Sequence, residues 1–215
     1  MSVASALLKT SSRSLPPALP GFSAINRYWD PKLNMPVAKI QPGEYYVGNQ
    51  VEGISTVLGS CVAVCIRDPQ AGVGGMNHFM LPLDASRGTN KMISNAARYG
   101  NYAMEHLIND ILKLGGNKRN FEIKLFGGSN VNSSSNNVGE QNIEFAKSYL
   151  TVEGYSLAAH DVGGPHPRRI LYRPLDGKLL LKRLPITTSG SVSQIENTYN
   201  RTIKKEPVGG EVDLF

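Results

Sequence analysis

The sequence predicts an α/β (α+β) domain in which mixed, largely antiparallel strands are layered with two or three helices. Three observations carry this. The runs Ile54 to Leu58 and Val62 to Ile66 are β-branched and apolar on both faces, as buried strands are. Asp68-Pro69-Gln70-Ala71-Gly72 then supplies hairpin-turn chemistry, with Pro fixing φ and Gly free to take a left-handed exit, before a second apolar run from Val73 to Leu81. From Asn90 to Leu114, apolar residues recur at helical spacing (Ala96, Tyr99, Ala103, Leu107, Ile111), and Gly115-Gly116 stops the helix.

Taken in order, residues 1–36 are rich in Ser and Pro and have no sustained periodicity, which predicts a flexible arm. Strand-like runs begin near Val37, and Gly43 to Val47 leads into a loop at Gly48-Asn49. Phe121 to Phe126 alternates as a strand does, then meets Gly127-Gly128 and a polar Asn/Ser loop that lasts to Asn137. Gly139 to Leu150 reads as a second helix. Leu157 to Val162, Arg169 to Tyr172 and Lys178 to Leu184 read as later strands, the last two joined by a turn at Pro174 to Gly177. The expected division is an arm over 1–36, a domain over 37–185 and a polar tail over 186–215.

A chain of 215 residues suits one such domain with trimmings. Hydrophobic residues at 40% and charged residues at 19% make it too apolar to be disordered, yet no apolar run approaches the ~18 residues that span a bilayer, so a membrane-embedded protein is not expected. The net charge of +6 favours acidic partners without naming one. Paired basics such as Lys118-Arg119 and Arg168-Arg169 are scattered and not interleaved with aromatics, which argues against a nucleic-acid groove. Cys61 and Cys65 are too few for a disulfide framework, and four residues apart on a strand they stand roughly 13 Å from each other, beyond the ~7 Å bridging limit. Both read as reduced thiols of a cytoplasmic protein. The apolar stretch Val3 to Leu8 has no preceding positive charge and is shorter than the ~7–15 residues of a secretory core.

The hairpin places two reactive residues. A two-residue loop at Pro69-Gln70 sets Cys61 directly opposite His78, whereas a four-residue loop over Pro69 to Gly72 makes them diagonal neighbours with Cβ atoms roughly 7–8 Å apart. Both registers put them on one face, and only a β-bulge, for which Gly74-Gly75 is the expected place, separates them. A thiol beside an imidazole is a nucleophile beside its base, since the ring can take the proton and stabilise the thiolate. The Gly59-Ser60-Cys61 turn adds amide N–H groups suited to a developing oxyanion. The hydroxyls of Ser55 and Thr56 are both candidates to orient the imidazole, and alternation allows only one of them onto the catalytic face. The competing reading of a Cys in an apolar strand is a small buried hydrophobe, which Cys65 keeps because nothing polar accompanies it. His106 lies within the first helix as a structural or exposed residue. His160 and His166 lack tight ligand spacing, so no metal and no cofactor is expected.

The stretch Thr56-Val57-Leu58-Gly59-Ser60-Cys61-Val62-Ala63-Val64, then Asp68-Pro69, then Gly74-Gly75-Met76-Asn77-His78-Phe79-Met80-Leu81-Pro82 resembles the core signature of the CheD family, the chemoreceptor glutamine deamidases of bacterial chemotaxis. Phe126-Gly127-Gly128-Ser129, Gly139-Glu140-Gln141-Asn142, Asp161-Val162-Gly163-Gly164, Arg168-Arg169 and the strand ending Lys182-Arg183-Leu184 are similar to later landmarks, in order, and the closing Gly-Glu-Val-Asp-Leu-Phe is similar to some C-termini. The resemblance implies a CheD-like fold and a cysteine hydrolase that converts receptor glutamines to glutamate through a thioester, with release of ammonia. It implies Cys61 as nucleophile, His78 as general base and acid, and a threonine upstream of the cysteine as third member, a place that ungapped counting gives to Ser55 and residue type gives to Thr56. Implied partners are the cytoplasmic helical bundles of methyl-accepting receptors and, as for many members, a CheC-type phosphatase. A secondary receptor methylesterase activity is implied through the same thioester. The alternatives are a non-catalytic receptor- or CheC-binding adaptor and another thiol hydrolase.

Overall fold

The computed structural model describes residues 15–82, 90–130 and 137–205. Within them one five-stranded sheet runs in the order β1 (Asn26–Asp30), β2 (Met35–Lys39), β4 (Gly53–Leu58), β9 (Arg168–Tyr172), β10 (Leu179–Arg183). A second runs β3 (Tyr45–Gly48), β6 (Val73–Asn77), β5 (Val62–Asp68), β7 (Glu122–Gly127), β8 (Leu157–Val162). Only β2–β4 and β7–β8 are parallel, so the strands are mixed and largely antiparallel as expected.

Position in the sheet explains composition. Strand β5 is central, and Val62 to Ile66 is fully buried, which is why that run is apolar on both faces. Helices α1 (Asn90–Lys113) and α2 (Val138–Val152) cover the second sheet, α1 against β3, β5 and β6, α2 against β5 and β7. From α1, Met104, Leu107 and Ile111 are fully buried in the core that joins both sheets; each such side chain contributes roughly 1.5–3 kcal/mol.

The β5–β6 hairpin adopts the longer of the two expected loops. Cys65 pairs with Met76 and Asp68 with Val73, leaving Pro69 to Gly72 as the loop. The Asp68 carboxylate accepts the Gln70 and Ala71 N–H groups, and Gly72 exits at φ 65°, the left-handed region its lack of a Cβ permits. Pairing continues through Gly74-Gly75 without a bulge, because β3 and α1 press close: a Cβ on Gly75 would collide with Tyr46 backbone and the Leu107 side chain. Strand β6 ends at Asn77, short of the expected Leu81, although Phe79 still bridges to Val62.

Both ends differ from the expected arm and tail. Strand β1 lies within residues 1–36 and pairs along its whole length with β2, so 26–30 are sheet and not free arm. Its partly exposed edge position gives it no apolar periodicity to read, and the buried Arg27–Glu52 ion pair at 2.7 Å helps tie it down. After a short turn over Ile186–Thr188, residues expected in a polar tail form helix α3 (Ser189–Lys205). Its inward positions are mostly polar, including Ser193, Glu196 and Asn200, and although Val192, Ile195, Tyr199 and Ile203 recur at helical spacing, the segment is polar on average and reads as tail. The Asn/Ser loop over 131–136 and the closing Gly-Glu-Val-Asp-Leu-Phe lie outside the described residues. Among the described residues no helix is long and apolar enough to cross a membrane.

Candidate active site

Gly59, Ser60 and Cys61 form the link between β4 of one sheet and β5 of the other. Their carbonyls are each held from outside. Ser129 N–H donates to Gly59 O (2.6 Å), Asn142 Nδ2 to Ser60 O (2.8 Å) and Gly128 N–H to Cys61 O (2.7 Å). Because a peptide plane carries C=O and N–H on opposite sides, pinning the Gly59 and Ser60 carbonyls aims the N–H groups of Ser60 and Cys61 the other way. Asn142 is itself fixed, since its Oδ1 accepts the Leu81 N–H at 2.8 Å. Ser129 is tied by its hydroxyl to Arg168, which also donates to Asp161 at 2.6 Å.

His78 directly follows β6. Its N–H donates to Glu44 O (2.9 Å) and its carbonyl accepts the Gly43 N–H (2.7 Å), so the backbone on either side of the ring is anchored. The ring Nδ1 lies 2.7 Å from Thr56 Oγ1, and the same hydroxyl donates to Ile40 O at 2.8 Å. A hydroxyl has one proton; spent on Ile40, it leaves Thr56 to accept from Nδ1–H, which puts the imidazole lone pair on Nε2. That Nε2 is buried and has no hydrogen-bond partner. Sγ of Cys61, a ring nitrogen of His78 and a carboxylate oxygen of Glu196 all lie within 4.8 Å of one another. Thr56, not Ser55, therefore faces the imidazole; the Ser55 backbone carbonyl instead pairs with Ile40 N–H.

Glu196, from α3, is the residue sequence reasoning missed. Its Oε1 accepts the N–H of Gly59 (2.9 Å) and Cys61 (3.1 Å), and its Oε2 accepts the N–H (3.0 Å) and hydroxyl (2.7 Å) of Ser60. The turn is thus an anion seat made of three amides and a hydroxyl. Cysteine, histidine and glutamate are metal-ligand types, and this is the one such cluster among the described residues. Both carboxylate oxygens are already engaged by backbone and hydroxyl donors, however, so a cation here would have to displace hydrogen bonds that hold Glu196 on the turn.

Electrostatics follow from the cover. Cys61 is 0% and His78 1% exposed. Burial, followed by the charge and hydrogen bond of Glu196, pushes the Cys61 thiol well above its ordinary range. Burial lowers His78 to about 4, and the charge of Glu196 opposes this only in part. Sulfur and ring are adjacent as expected, and both shifts favour a neutral thiol beside a neutral ring over the thiolate–imidazolium pair. Cys65 is buried and raised by desolvation, in keeping with a packing role. His160, Asp161 and His166 line a separate cavity of about 420 Å³ with Arg168 and Arg183, and Asp161 is committed to both arginines at 2.6 Å.

A protein of Hahella chejuensis named probable chemoreceptor glutamine deamidase CheD is 52% identical over 200 residues, covering 93% of this chain and 95% of its own. The chain belongs to the CheD family. Similar proteins of the same printed name occur in Halorhodospira halophila, 49% identical over 94% of this chain and 95% of the relative, and in Saccharophagus degradans, 45% identical over 97% and 98%. The profile of the CheD family, described as chemotactic sensory transduction, matches residues 80–183. Several landmarks of the CheD resemblance converge on the Cys61 turn: Gly128, Ser129 and Asn142 hold its carbonyls, and Arg168 holds Ser129. No comparable signal marks Glu196, which lies beyond that matched span; the helical spacing of Val192, Ile195, Tyr199 and Ile203 is a signal that could have found the helix, but not the role of the glutamate.

Proposed function

We propose that this CheD protein hydrolyses glutamine side chains of chemoreceptors to glutamate, with Cys61 as nucleophile, His78 as base and acid, and Thr56 as the group orienting the ring. The observation that carries the reading is the Thr56–His78 hydrogen bond of 2.7 Å, which leaves Nε2 unpartnered on a ring that has a nitrogen within 4.8 Å of the Cys61 sulfur. With α3 displaced, Nε2 takes the thiol proton and sulfur attacks the amide carbon. The carbonyl oxygen occupies the Oε1 position, where the Gly59 and Cys61 N–H groups stabilise its developing charge. His78 then protonates the departing ammonia, and water hydrolyses the thioester by the reverse relay. The same thioester serves a receptor glutamyl methyl ester, as a secondary activity. The substrate is the cytoplasmic helical bundle of a receptor; the protein works in that compartment, and a CheC-type phosphatase is a second proposed partner.

Peptide mapping of a co-expressed receptor tests this. Glutamate replaces glutamine with the wild-type chain and not with Cys61→Ala; cleavage or crosslinking instead would identify another thiol hydrolase. The burial of Cys61 beneath Glu196 favours a second reading, an adaptor in which catalysis is secondary. Full chemotactic function of Cys61→Ala would establish that reading and remove the first.

A further inference from the structure

We infer that α3 occupies the seat of the substrate helix and that Glu196 is held there as an analogue of the reaction product, so that the chain inhibits itself until α3 leaves. The inference rests on the deamidase reading and adds to it a state that must open.

The carboxylate of Glu196 is what hydrolysis of a glutamine side chain leaves behind. It is 4% exposed and lies on the Gly59–Cys61 amides beside the thiol. It is also delivered from a helix. Ser189, Val192, Ser193, Glu196 and Asn200 are the buried positions of α3, recurring every three or four residues. Most are polar, and the carboxylate seated on four donors is the anchor at their centre. Two glycines let the helix come close. A Cβ on Gly59 would collide with Val192 and Glu196, and one on Gly43 would overlap the Tyr199 ring. The seat thus takes a small or β-branched side chain one turn before the glutamyl residue and an aromatic about one turn after it.

The donors also rank the occupants. A carboxylate satisfies all four. A carboxamide whose oxygen takes the Oε1 position turns its NH2 toward Ser60, where the hydroxyl can accept but the Ser60 N–H faces another donor. Product-like α3 therefore competes well with a glutamine-bearing helix, and Cys61 stays covered at rest.

Glu196→Gln converts the latch into a substrate. In that variant sulfur attacks Cδ of the introduced glutamine, the C–N bond breaks, nitrogen leaves as ammonia with a proton from His78, and solvent water cleaves the thioester to restore Glu196 and the free thiol. Peptide mapping by mass spectrometry of freshly purified and incubated protein reads this directly. The introduced glutamine is expected to become glutamate in Glu196→Gln and to persist in Glu196→Gln/Cys61→Ala. In parallel, Glu196→Ala is expected to raise the rate of Cys61 alkylation by iodoacetamide about tenfold or more over wild type, by shifting the population toward the open form, with mapping to separate Cys61 from Cys65. A glutamine that persists at position 196 in a preparation that still deamidates a receptor fragment overturns the inference and leaves the deamidase reading intact. Equal alkylation of wild type and Glu196→Ala overturns it as well. A folded Glu196→Gln preparation that deamidates neither its own position 196 nor a receptor fragment overturns the deamidase reading itself.

Discussion

The Gly59–Cys61 turn and helix α3 meet at one carboxylate, yet they are held by different means. Every carbonyl of the turn is pinned by a group from β7's end or α2, and its flanks are largely buried strand, with Leu58 before it and Val62 to Ile66 after it fully buried. Helix α3 presents a mostly polar face, with two glycines opposite it and one charged anchor. The contrast separates a part that must not move from a part that must. Preorganised donors act only if they keep their aim, whereas a cover is useful only if its hold is modest.

Cys61→Ala breaks the rigid side most completely: deamidation is expected to fall by at least about 10³-fold while α3 stays seated, read by ammonia release together with unchanged thermal melting. Acid tests the cover next. His78 is about 4 in the folded chain against 6.5 in its ordinary state. Between those values the unfolded chain binds more protons, so stability rises with pH, is complete above about 6.5 and is lost as pH falls through about 4. The difference corresponds to about 3 kcal/mol in full, of which about 2 kcal/mol falls between pH 7 and pH 5 and is read as urea midpoints at those two values, and His78→Asn should flatten the slope in that window. Thr56→Val removes both the acceptor for Nδ1–H and the donor to Ile40; turnover should drop about 10–100-fold with a shifted pH–rate profile, Thr56→Ser should recover most of it, and Ser55→Ala should change little. Asn142→Ala leaves Ser60 O and Leu81 N–H without a side-chain partner, at about 1–3 kcal/mol of stability and about tenfold in rate, measured by denaturant titration and initial velocities.

The two regions were also unequally legible. Turn chemistry at Asp68 to Gly72 is local, so it placed Cys61 and His78 on one face and limited the registers to two, of which the four-residue loop occurs. Alternation required that Ser55 and Thr56 point oppositely, but which one faces His78 depends on how two sheets stack, and no single strand encodes that. Helix α3 was harder to read for a further reason. Its buried face is mostly polar and matches donors across a gap of more than 130 residues; Val192, Ile195, Tyr199 and Ile203 keep helical spacing, but nothing local tells that Glu196 is covered. The edge strand β1 escaped similarly, being tied by pairing and an ion pair and not by an apolar run.

Thr56 stands on β4 of the first sheet, while His78 extends from β6 of the second. The base and its orienting hydroxyl are therefore mounted on separate plates, and their 2.7 Å contact is a gauge of how those plates are aligned. A shear of about one ångström between them spoils the relay long before the core comes apart, so mild denaturant should silence turnover at concentrations where circular dichroism still reports an intact fold.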